Sequence, residues 1–513
     1  MLRSLRISSR KSSLAKLQSY LAANEIKKVF PGLAIEFIFK ESAGDKDLHS
    51  PLWKMPEKGV FTRDFREDIL QNKTDVVIHS YKDLDLEESD GTKIISILDR
   101  ADPRDILLFK KKFYQEADFQ RVKILTSSPR REYNLKKFLH DALPQRLGSK
   151  EIFFEPVRGN IQTRLSKWFD SEDFQGIVLA KAALVRLLSE NFPESESSEY
   201  SAIRSALRSY LKESLFMCLP LSVDPNAPAQ GALAAEFRRD DEEVKKIIFQ
   251  ICNQDMDECI SEERRILKSF GGGCHQKIGV SIFRKDYGKV KILKGLTDKG
   301  RTLDEISLES QRYAKAKSKD DVWPSAKNSF HWERNPIPGV ALPEGKDIFV
   351  SRGNAWVFGP GFDFRKSNII WAAGVSTMKE LAKKDLWVSG TSDGFGENEF
   401  LNLEILLGRK TDFVKLTHKD SESVDSSLER FYTYELTKPE INGDLSNKTH
   451  FFWMSGSLFD YAIGKVPEIR NAVHSCGPGI TYDHIRKRLG SDSKIEIFLN
   501  YEDWKKYHLG EKI

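Results

Sequence analysis

The sequence predicts an α/β fold divided among three or four domains, and three observations support this. Strand-like and helix-like segments alternate from the start, where Leu5–Arg10 is predicted as a strand followed by a helix from Ser12 or Ser13. Residues 75–80 are mostly apolar without alternation, which is typical of a buried strand in a parallel sheet. The length of 513 residues also exceeds what one hydrophobic core supports.

Composition excludes several classes of protein. The formal net charge of +5 is small for this length and gives no reason to expect a nucleic-acid partner. Five cysteines occur without a CxxC pair, which argues against a disulfide framework and against a zinc site. We find no apolar run of membrane-spanning length and no signal peptide, so we expect a cytoplasmic protein that does not bind membranes.

A glycine-rich segment, Gly271-Gly272-Gly273-Cys274, follows a predicted amphipathic helix from Ser261, its expected N-cap, to Phe270. Three glycines end such a helix and remove side chains from the approach to the cysteine. A thiol presented in this way is accessible and therefore able to react. The alternative is a flexible turn with an incidental cysteine, and this segment alone does not decide between the two.

Charged side chains follow several of the predicted strands. Lys82 and Asp83 come directly after residues 75–80. Four other strands are followed by arginines, namely Arg10, Arg130, Arg131, Arg164 and Arg186. One arginine alone would be a solvated helix face, but ligands of open α/β sheets sit beyond the carboxyl ends of the strands. Guanidinium groups bind acids, and neither a Walker nor a GxGxxG loop is present, so the sequence predicts a polycarboxylate ligand.

Residues ~1–312 resemble the porphobilinogen deaminase family, also called hydroxymethylbilane synthase. The matching motifs stand in the order and with the spacing of that family. They are RISSRKS at residues 6–12, KGVF at 58–61, VIHSYKD at 77–83, RADPRD at 100–105, TSSPRR at 126–131, VRGN with TRL over 157–165, AQGA at 229–232, and Glu263-Arg264 followed by Gly272-Gly273-Cys274.

The resemblance implies an architecture of two periplasmic-binding-protein-like α/β domains and a small α+β third domain that carries the cysteine. The expected boundaries are residues 1–102 with 224–246 for domain 1, 103–223 for domain 2 and 247–315 for domain 3. The family joins four porphobilinogen molecules head to tail into linear hydroxymethylbilane and releases ammonia. We therefore expect a small-molecule substrate, no bound metal and a monomeric enzyme.

The resemblance also implies roles for individual residues. Cys274 is the expected attachment point, through a thioether, of a dipyrromethane cofactor assembled from the substrate. Asp83, with Lys82, is expected to handle protons and to stabilise positively charged pyrrole intermediates. The cofactor contacts are expected from Arg130, Arg131, Ser128, Lys82, Asp83 and Arg158, and the substrate contacts from Arg10, Ser12, Lys58, Arg164 and Arg186.

Residues ~345–513 bear a weaker resemblance to the uroporphyrinogen-III synthase family. Gly374-Val375-Ser376-Thr377 is similar to that family's helix start, and Tyr434 lies where the family often has a tyrosine near its cleft. The residues implied for a site there are Tyr434, Thr377 and Thr481. The resemblance implies a uroporphyrinogen-III synthase-like α/β region over 347–513, after a proline-dotted linker at 316–346, and a multifunctional enzyme of tetrapyrrole and haem biosynthesis.

Two alternatives remain open. The chain is a deaminase alone if the C-terminal region is catalytically silent. A solute-binding protein for a polycarboxylate would share the two-domain cleft, although Cys274 and the Lys82–Asp83 pair argue against it. Two further segments are predicted as loops: residues 40–59, expected to be mobile, and the polar insertion at 189–213, expected to be an exposed surface loop.

Overall fold

A computed structural model describes most of the chain. The described residues are 2–41, 62–87, 89–116, 119–189, 192–272, 276–325, 330–331, 333–359, 369–396, 403–419, 428–437, 440–441, 443–490 and 493–510. Lys58, Cys274 and nearly all of the predicted loop at 40–59 lie outside them. Among the described residues, no helix has both the length and the apolar character needed to span a membrane.

Two five-stranded sheets form the first part of the chain. The elements around the first are β1 (Ser4–Arg10), α1 (Ser13–Val29), β2 (Ala34–Lys40), α2 (Arg63–Leu70), β3 (Val76–Ser80) and β4 (Thr92–Ile97). Those around the second are β5 (Asp105–Lys110), α3 (Lys111–Glu116), β6 (Arg121–Leu125), α4 (Pro129–Ala142), α5 (Gln145–Gly148), β7 (Glu151–Glu155), α6 (Ile161–Phe169), β8 (Gly176–Ala180), α7 (Lys181–Leu188), α8 (Ser197–Lys212) and β9 (Ser214–Cys218). The chain then returns to the first sheet as β10 (Leu233–Arg238).

The two sheets share one topology. Their strand orders are β2-β1-β3-β10-β4 and β7-β6-β8-β5-β9. In each, the strand that arrives from the other half, β10 or β5, runs antiparallel to both neighbours. Residues 98–104 and 219–232 are therefore the two connections between the sheets. The predicted α/β class is confirmed.

Helix α9 (Glu242–Phe249) follows β10 and packs into the core of the first sheet. A smaller unit comes next, in which α10 (Gln254–Ser269) leads into an antiparallel meander of β11 (Lys277–Lys285), β12 (Gly288–Leu296) and β13 (Thr302–Glu309). The predicted start of α10 at Ser261 is wrong, because Ser261 lies inside the helix. The side chain of Asn253 caps α10 instead, accepting a hydrogen bond from the Met256 amide at 3.2 Å.

The insertion at 189–213 is not the surface loop that its polar sequence predicts. It contains α8, which with the residues just before it contacts α1 and the C-terminal region. The Tyr200 hydroxyl donates to the Ser13 carbonyl at 2.7 Å, and the Tyr20 hydroxyl of α1 donates to Glu196, just before α8, at 2.9 Å. Arg208, near the other end of α8, donates to the Leu406 carbonyl of the C-terminal region at 2.9 Å. The acidic residues are thus used in contacts across domains.

The described part of the C-terminal region is built on two larger sheets and a third sheet of two strands. Its elements are β14 (Val322–Trp323), β15 (Phe330–His331), β16 (Arg334–Pro336), β17 (Asp347–Val350), β18 (Ile370–Ala372), α11 (Val375–Lys383), β19 (Gly390–Thr391), α12 (Leu403–Leu407), β20 (Phe413–His418), β21 (Glu429–Leu436), β22 (Glu440–Ile441), β23 (His450–Trp453), α13 (Gly456–Lys465), β24 (Val473–Cys476), α14 (Ile480–Leu489), β25 (Ile495–Ile497) and α15 (Tyr501–Leu509). The orders of the larger sheets are β16-β21-β20-β17-β18-β19 and β14-β23-β24-β25, and the two-stranded sheet is β15-β22.

The segment at 316–346, predicted as a linker, belongs to this C-terminal fold. Its strand β14 extends the four-stranded sheet, and β16 forms an edge of the six-stranded sheet. Within the segment, Lys319–Asp321 form a single 3₁₀ turn just before β14. The prolines suggested a linker, and the sequence around them gives no sign of strand pairing. The reason is that the partner strands of β14 and β16 lie more than 90 residues later.

The C-terminal region docks on an open edge of the second sheet. The amide of Cys218, at the end of β9, donates to the Ser389 carbonyl just before β19 at 2.8 Å. Trp387 is buried at this junction, and its Nε1 donates to the Phe216 carbonyl at 2.8 Å. Edge strands expose unpaired backbone groups, so this docking protects β9.

Candidate active site

Strand ends bring charged residues to one cleft. Arg10 is the last residue of β1, and Lys82 and Asp83 form a 3₁₀ turn directly after β3, the neighbouring parallel strand. Across the cleft, Arg130 and Arg131 open α4 after β6, and Arg158 follows β7. These positions agree with the rule that ligands of open α/β sheets bind beyond the carboxyl ends of strands.

Asp105 is the buried centre of the second domain's side of the cleft. Its two carboxylate oxygens accept hydrogen bonds from Arg131 at 2.6 and 2.8 Å and from Arg130 at 2.6 Å. Burial opposes ionisation, yet the Arg131 and Arg130 charges hold the pKa of Asp105 far below its usual range. Asp105 therefore stays charged and fixes both guanidinium groups.

Most of the hydrogen-bond donors of the Arg130 guanidinium are already bound by groups of the protein. Besides Asp105, it donates to Asp224 at 2.5 Å and to the Pro225 carbonyl at 2.8 Å. Only its Nε is left without a hydrogen bond among the described residues. Of the predicted arginine pair, Arg131 is the less enclosed, with 9% of its side chain exposed against 3% for Arg130.

Three other arginines of the cleft, Arg158, Arg164 and Arg186, form no ion pair with a carboxylate among the described residues. Burial, followed by the charge of Arg131, lowers the pKa of Arg164, whose Nε donates to the Gly159 carbonyl at 2.7 Å. Burial lowers the pKa of Arg186 to about 10, and its guanidinium donates to the Gly231 carbonyl at 2.6 Å. The Nη1 of Arg158 is buried without a hydrogen-bond partner in the described part of the chain.

These charges act on one another and therefore share one site. The pKa of Arg164 responds to burial and then to Arg131, Asp83 and Arg158, while that of Lys82 is lowered by burial and raised by Asp83. Crowded guanidinium groups in a partly dry cleft bind anions. The residues present thus fit a cofactor and substrate that carry several carboxylates. Ser128 sits at the N-terminal end of α4, and the Ser12 hydroxyl caps α1.

The segment that contains Cys274 begins beside Leu86, three residues after Asp83. Gly272 lies against Leu86, since a Cβ at Gly272 would be 2.8 Å from a Leu86 methyl carbon. Arg264 of α10 donates to the carbonyls of Tyr81 at 3.3 Å and Leu84 at 3.2 Å, on either side of the Lys82–Asp83 pair. The third domain is therefore fastened to the turn that presents Asp83.

Gln230 and Glu263 lie in two of the family motifs, but the sequence did not predict a role for either residue. Gln230 accepts a hydrogen bond from Lys82 Nζ at 3.1 Å and donates to Asp105 at 2.8 Å, joining the two walls of the cleft. Glu263 is fully buried and accepts from Arg100, from the Ala229 amide and from the Ile282 amide, each at 2.8 Å. The only sequence evidence that these two residues matter was their position in the AQGA and Glu263-Arg264 motifs.

The three residues predicted for a C-terminal site lie in strands or helices that belong to both of the larger sheets' halves of that region. Tyr434 is buried in β21, and Thr377 is buried in the first turn of α11. Thr481 lies in the first turn of α14, which follows β24 of the four-stranded sheet. The start of α14 meets the other sheet's loops, because a Cβ at Gly479 would be 3.3 Å from Gly396 Cα.

Fold and cleft together define a two-domain α/β protein built to hold an acidic ligand. The chain belongs to the porphobilinogen deaminase family. Residues 5–246 match the family model described as "Porphobilinogen deaminase, dipyromethane cofactor binding domain". The chain thus contains the binding domain of a dipyrromethane cofactor, and its relatives support porphobilinogen deaminase function.

Curated relatives extend the match. The porphobilinogen deaminases of Clostridium novyi, Fusobacterium nucleatum and Chlorobium phaeobacteroides are 31%, 32% and 33% identical to this chain. The alignments cover 57%, 58% and 60% of this chain and 88%, 90% and 89% of those proteins. A solved structure of CbnR, a LysR family transcriptional regulator, aligns over 49% of this chain and 70% of its own with 8% identity and a TM-score of 0.27, too slight a likeness to bear on the fold.

Replacing Asp105 with asparagine should destabilise the protein at pH 7 by about 3–5 kcal/mol, because Arg130 and Arg131 would keep a buried charge without its partner. The pKa of Asp105 is lowered on folding, so its stabilisation is present above the unfolded value of about 3.9 and lost as the pH falls. Denaturant titrations across pH should show the gap between wild type and Asp105→Asn narrowing below about pH 4.

Asp173→Asn is the matched control, since Asp173 is exposed in the same domain and should change stability by less than about 0.5 kcal/mol. Equal stability of Asp105→Asn and Asp173→Asn at pH 7 would contradict the assignment of Asp105 as the buried anchor.

Proposed function

We propose that the chain joins four porphobilinogen molecules head to tail into hydroxymethylbilane and releases ammonia at each addition. The observation that carries this is the position of Asp83. It lies at the carboxyl end of β3, close enough to Arg164 of the other wall to act on its pKa, and three residues before Leu86, which contacts Gly272 at the start of the segment that bears Cys274. Family membership supports the same reaction.

Asp83 is the proposed proton-handling group. Loss of ammonia from porphobilinogen needs a proton on the departing nitrogen and leaves an electron-poor pyrrole. A carboxylate oxygen of Asp83 can hold that proton and then offset the developing positive charge. Asp83 is exposed to the cleft rather than locked in a described ion pair, as a group that meets substrate requires. Lys82, hydrogen-bonded to Gln230, would contribute a positive charge beside it.

Cys274 is the proposed attachment point of the dipyrromethane, by a thioether from its sulfur. When bound, the dipyrromethane supplies the primer to which pyrrole units are joined. Arg131 and Arg158 would hold its acidic side chains, with Arg130 as the buried support of Arg131 and Ser128 as a further hydrogen-bonding group. Substrate carboxylates would meet Arg164 and Arg186 from the second domain and Arg10 and Ser12 from the first, with Lys58 as a further contact.

We also propose a second activity, cyclisation of hydroxymethylbilane to uroporphyrinogen III, for the C-terminal region. Thr377 and Thr481 each lie in the first turn of a helix that follows a parallel strand, which is where ligands of α/β sheets bind. The contact of Gly479, at the start of α14, with Gly396, in the loop after β19 of the other sheet, supports a shared cleft. The alternative is a silent domain that only protects the edge of β9.

Asp83→Asn should lower porphobilinogen consumption by at least about 100-fold, since a general acid–base group is lost. The melting temperature should stay unchanged, because the Asp83 side chain is exposed. Asp85→Asn is the matched control two residues later and should retain activity. Normal turnover in Asp83→Asn, measured by the release of ammonia, would refute the role of Asp83.

The product isomer tests the second activity. The full chain supplied with porphobilinogen should give uroporphyrinogen III, separable by chromatography after oxidation to uroporphyrin. Hydroxymethylbilane that closes without a catalyst gives the type I ring, so a product consisting only of the type I isomer would contradict the synthase proposal. That result would leave the deaminase proposal standing, because it requires that hydroxymethylbilane was made.

A further inference from the structure

One face of the six-stranded C-terminal sheet changes from apolar to charged at the carboxyl ends of its strands. Val350 of β17 pairs with Leu416 of β20, and both belong to the same buried core. Arg352 and His418 lie two residues further along, and alternation along a strand places them on that same face. Arg352 still has extended backbone angles, with φ of −150° and ψ of 149°.

Strand pairing adds two more side chains to this face. Tyr434 of β21 pairs with His418, and their ring centroids are 5.8 Å apart. Arg334 of β16 lies directly opposite Leu436 of β21. Leu436 is two residues after Tyr434 and is therefore on the same face of the sheet. Residues opposite each other in an antiparallel pair share a face. Arg334, Arg352, His418 and Tyr434, here called the C-terminal arginine cluster, therefore meet at one sheet edge.

The cluster holds two positive charges close together. Burial lowers the pKa of Arg352, and the charge of Arg334 lowers it further. Burial raises the pKa of Tyr434, and Arg352 and Arg334 act against that rise. Both guanidinium groups are therefore within electrostatic reach of one phenol. The Nε of Arg334 is buried and makes no hydrogen bond within the described residues.

Glu380 of α11 is a carboxylate near this pair. It acts on Arg352, but less strongly than Arg334 does. Its Oε2 lies over the backbone of Gly353. Two guanidinium groups at the carboxyl edge of a parallel sheet are placed for an anionic ligand.

We propose that the C-terminal arginine cluster binds a carboxylate side chain of a tetrapyrrole, with Arg334 and Arg352 as its ion-pair partners and the Tyr434 hydroxyl as a third donor. The choice of a tetrapyrrole rests on the proposed function, because the deaminase reaction would supply a polycarboxylate of this kind in the same chain. The inference holds whether the C-terminal region cyclises that molecule or only retains it. Guanidinium pairs suit carboxylates because each offers two parallel hydrogen bonds.

Uroporphyrin I, a fluorescent octacarboxylate, is the probe for the test, with binding to the full chain followed by fluorescence anisotropy. Arg334→Ala and Arg352→Ala should each weaken binding about tenfold or more, as expected for loss of a charge-assisted hydrogen bond. Arg470→Ala, at an exposed arginine of the same region, is the control and should leave affinity unchanged. Glu380→Gln should strengthen binding, because it removes the opposing charge.

Unchanged affinity in folded Arg334→Ala and Arg352→Ala would overturn the proposal, as would weaker binding by Glu380→Gln. The Glu380→Gln arm keeps the test decisive if an arginine variant fails to fold. Inorganic phosphate competing as strongly as the porphyrin would also overturn it, since that marks a general anion site. Ammonia release, measured on the same proteins, tests the proposed deaminase function separately. Binding of added uroporphyrin I does not require deaminase turnover, so either proposal can fail without the other.

Discussion

The cleft depends on one buried carboxylate, Asp105. Its two oxygens hold Arg130, Arg131 and the side-chain amide of Gln230, which in turn accepts a hydrogen bond from Lys82 in the other wall. A buried ion pair gains little net stability over an apolar core, but it fixes geometry strongly. Through Gln230, Asp105 thus links the cations of the second domain to Lys82 in the first.

Much of this site could be predicted from sequence because its markers are local. A buried strand followed by Lys82-Asp83, and a Ser-Pro helix start followed by two arginines, each occupy a few consecutive residues. The strands and helices at these positions are those of the structure. The motif order then located Cys274, and the family match agrees with the deaminase assignment. The cysteine and Lys58 lie outside the described residues, so their roles remain proposals.

What sequence could not give depends on distant partners. The partners of Arg130 are an example, because Asp105 and Asp224 lie 25 and 94 positions away from it in the sequence. The acidic run before α8 had the composition of a solvated loop, yet Glu196 meets α1. Likewise, nothing local in Ser389 or Trp387 indicates that they meet the end of β9. A docked C-terminal region therefore joins the deaminase fold as a structural neighbour, whatever its own chemistry.

The central claim is that Cys274 carries a polycarboxylate primer held by the cleft arginines. Intact-protein mass spectrometry of the active, purified chain tests it most directly. The account predicts a mass above that of the sequence by one dipyrromethane, lost in Cys274→Ser and kept in Cys252→Ser. An unmodified mass in active protein, or a modification that survives Cys274→Ser, would contradict it.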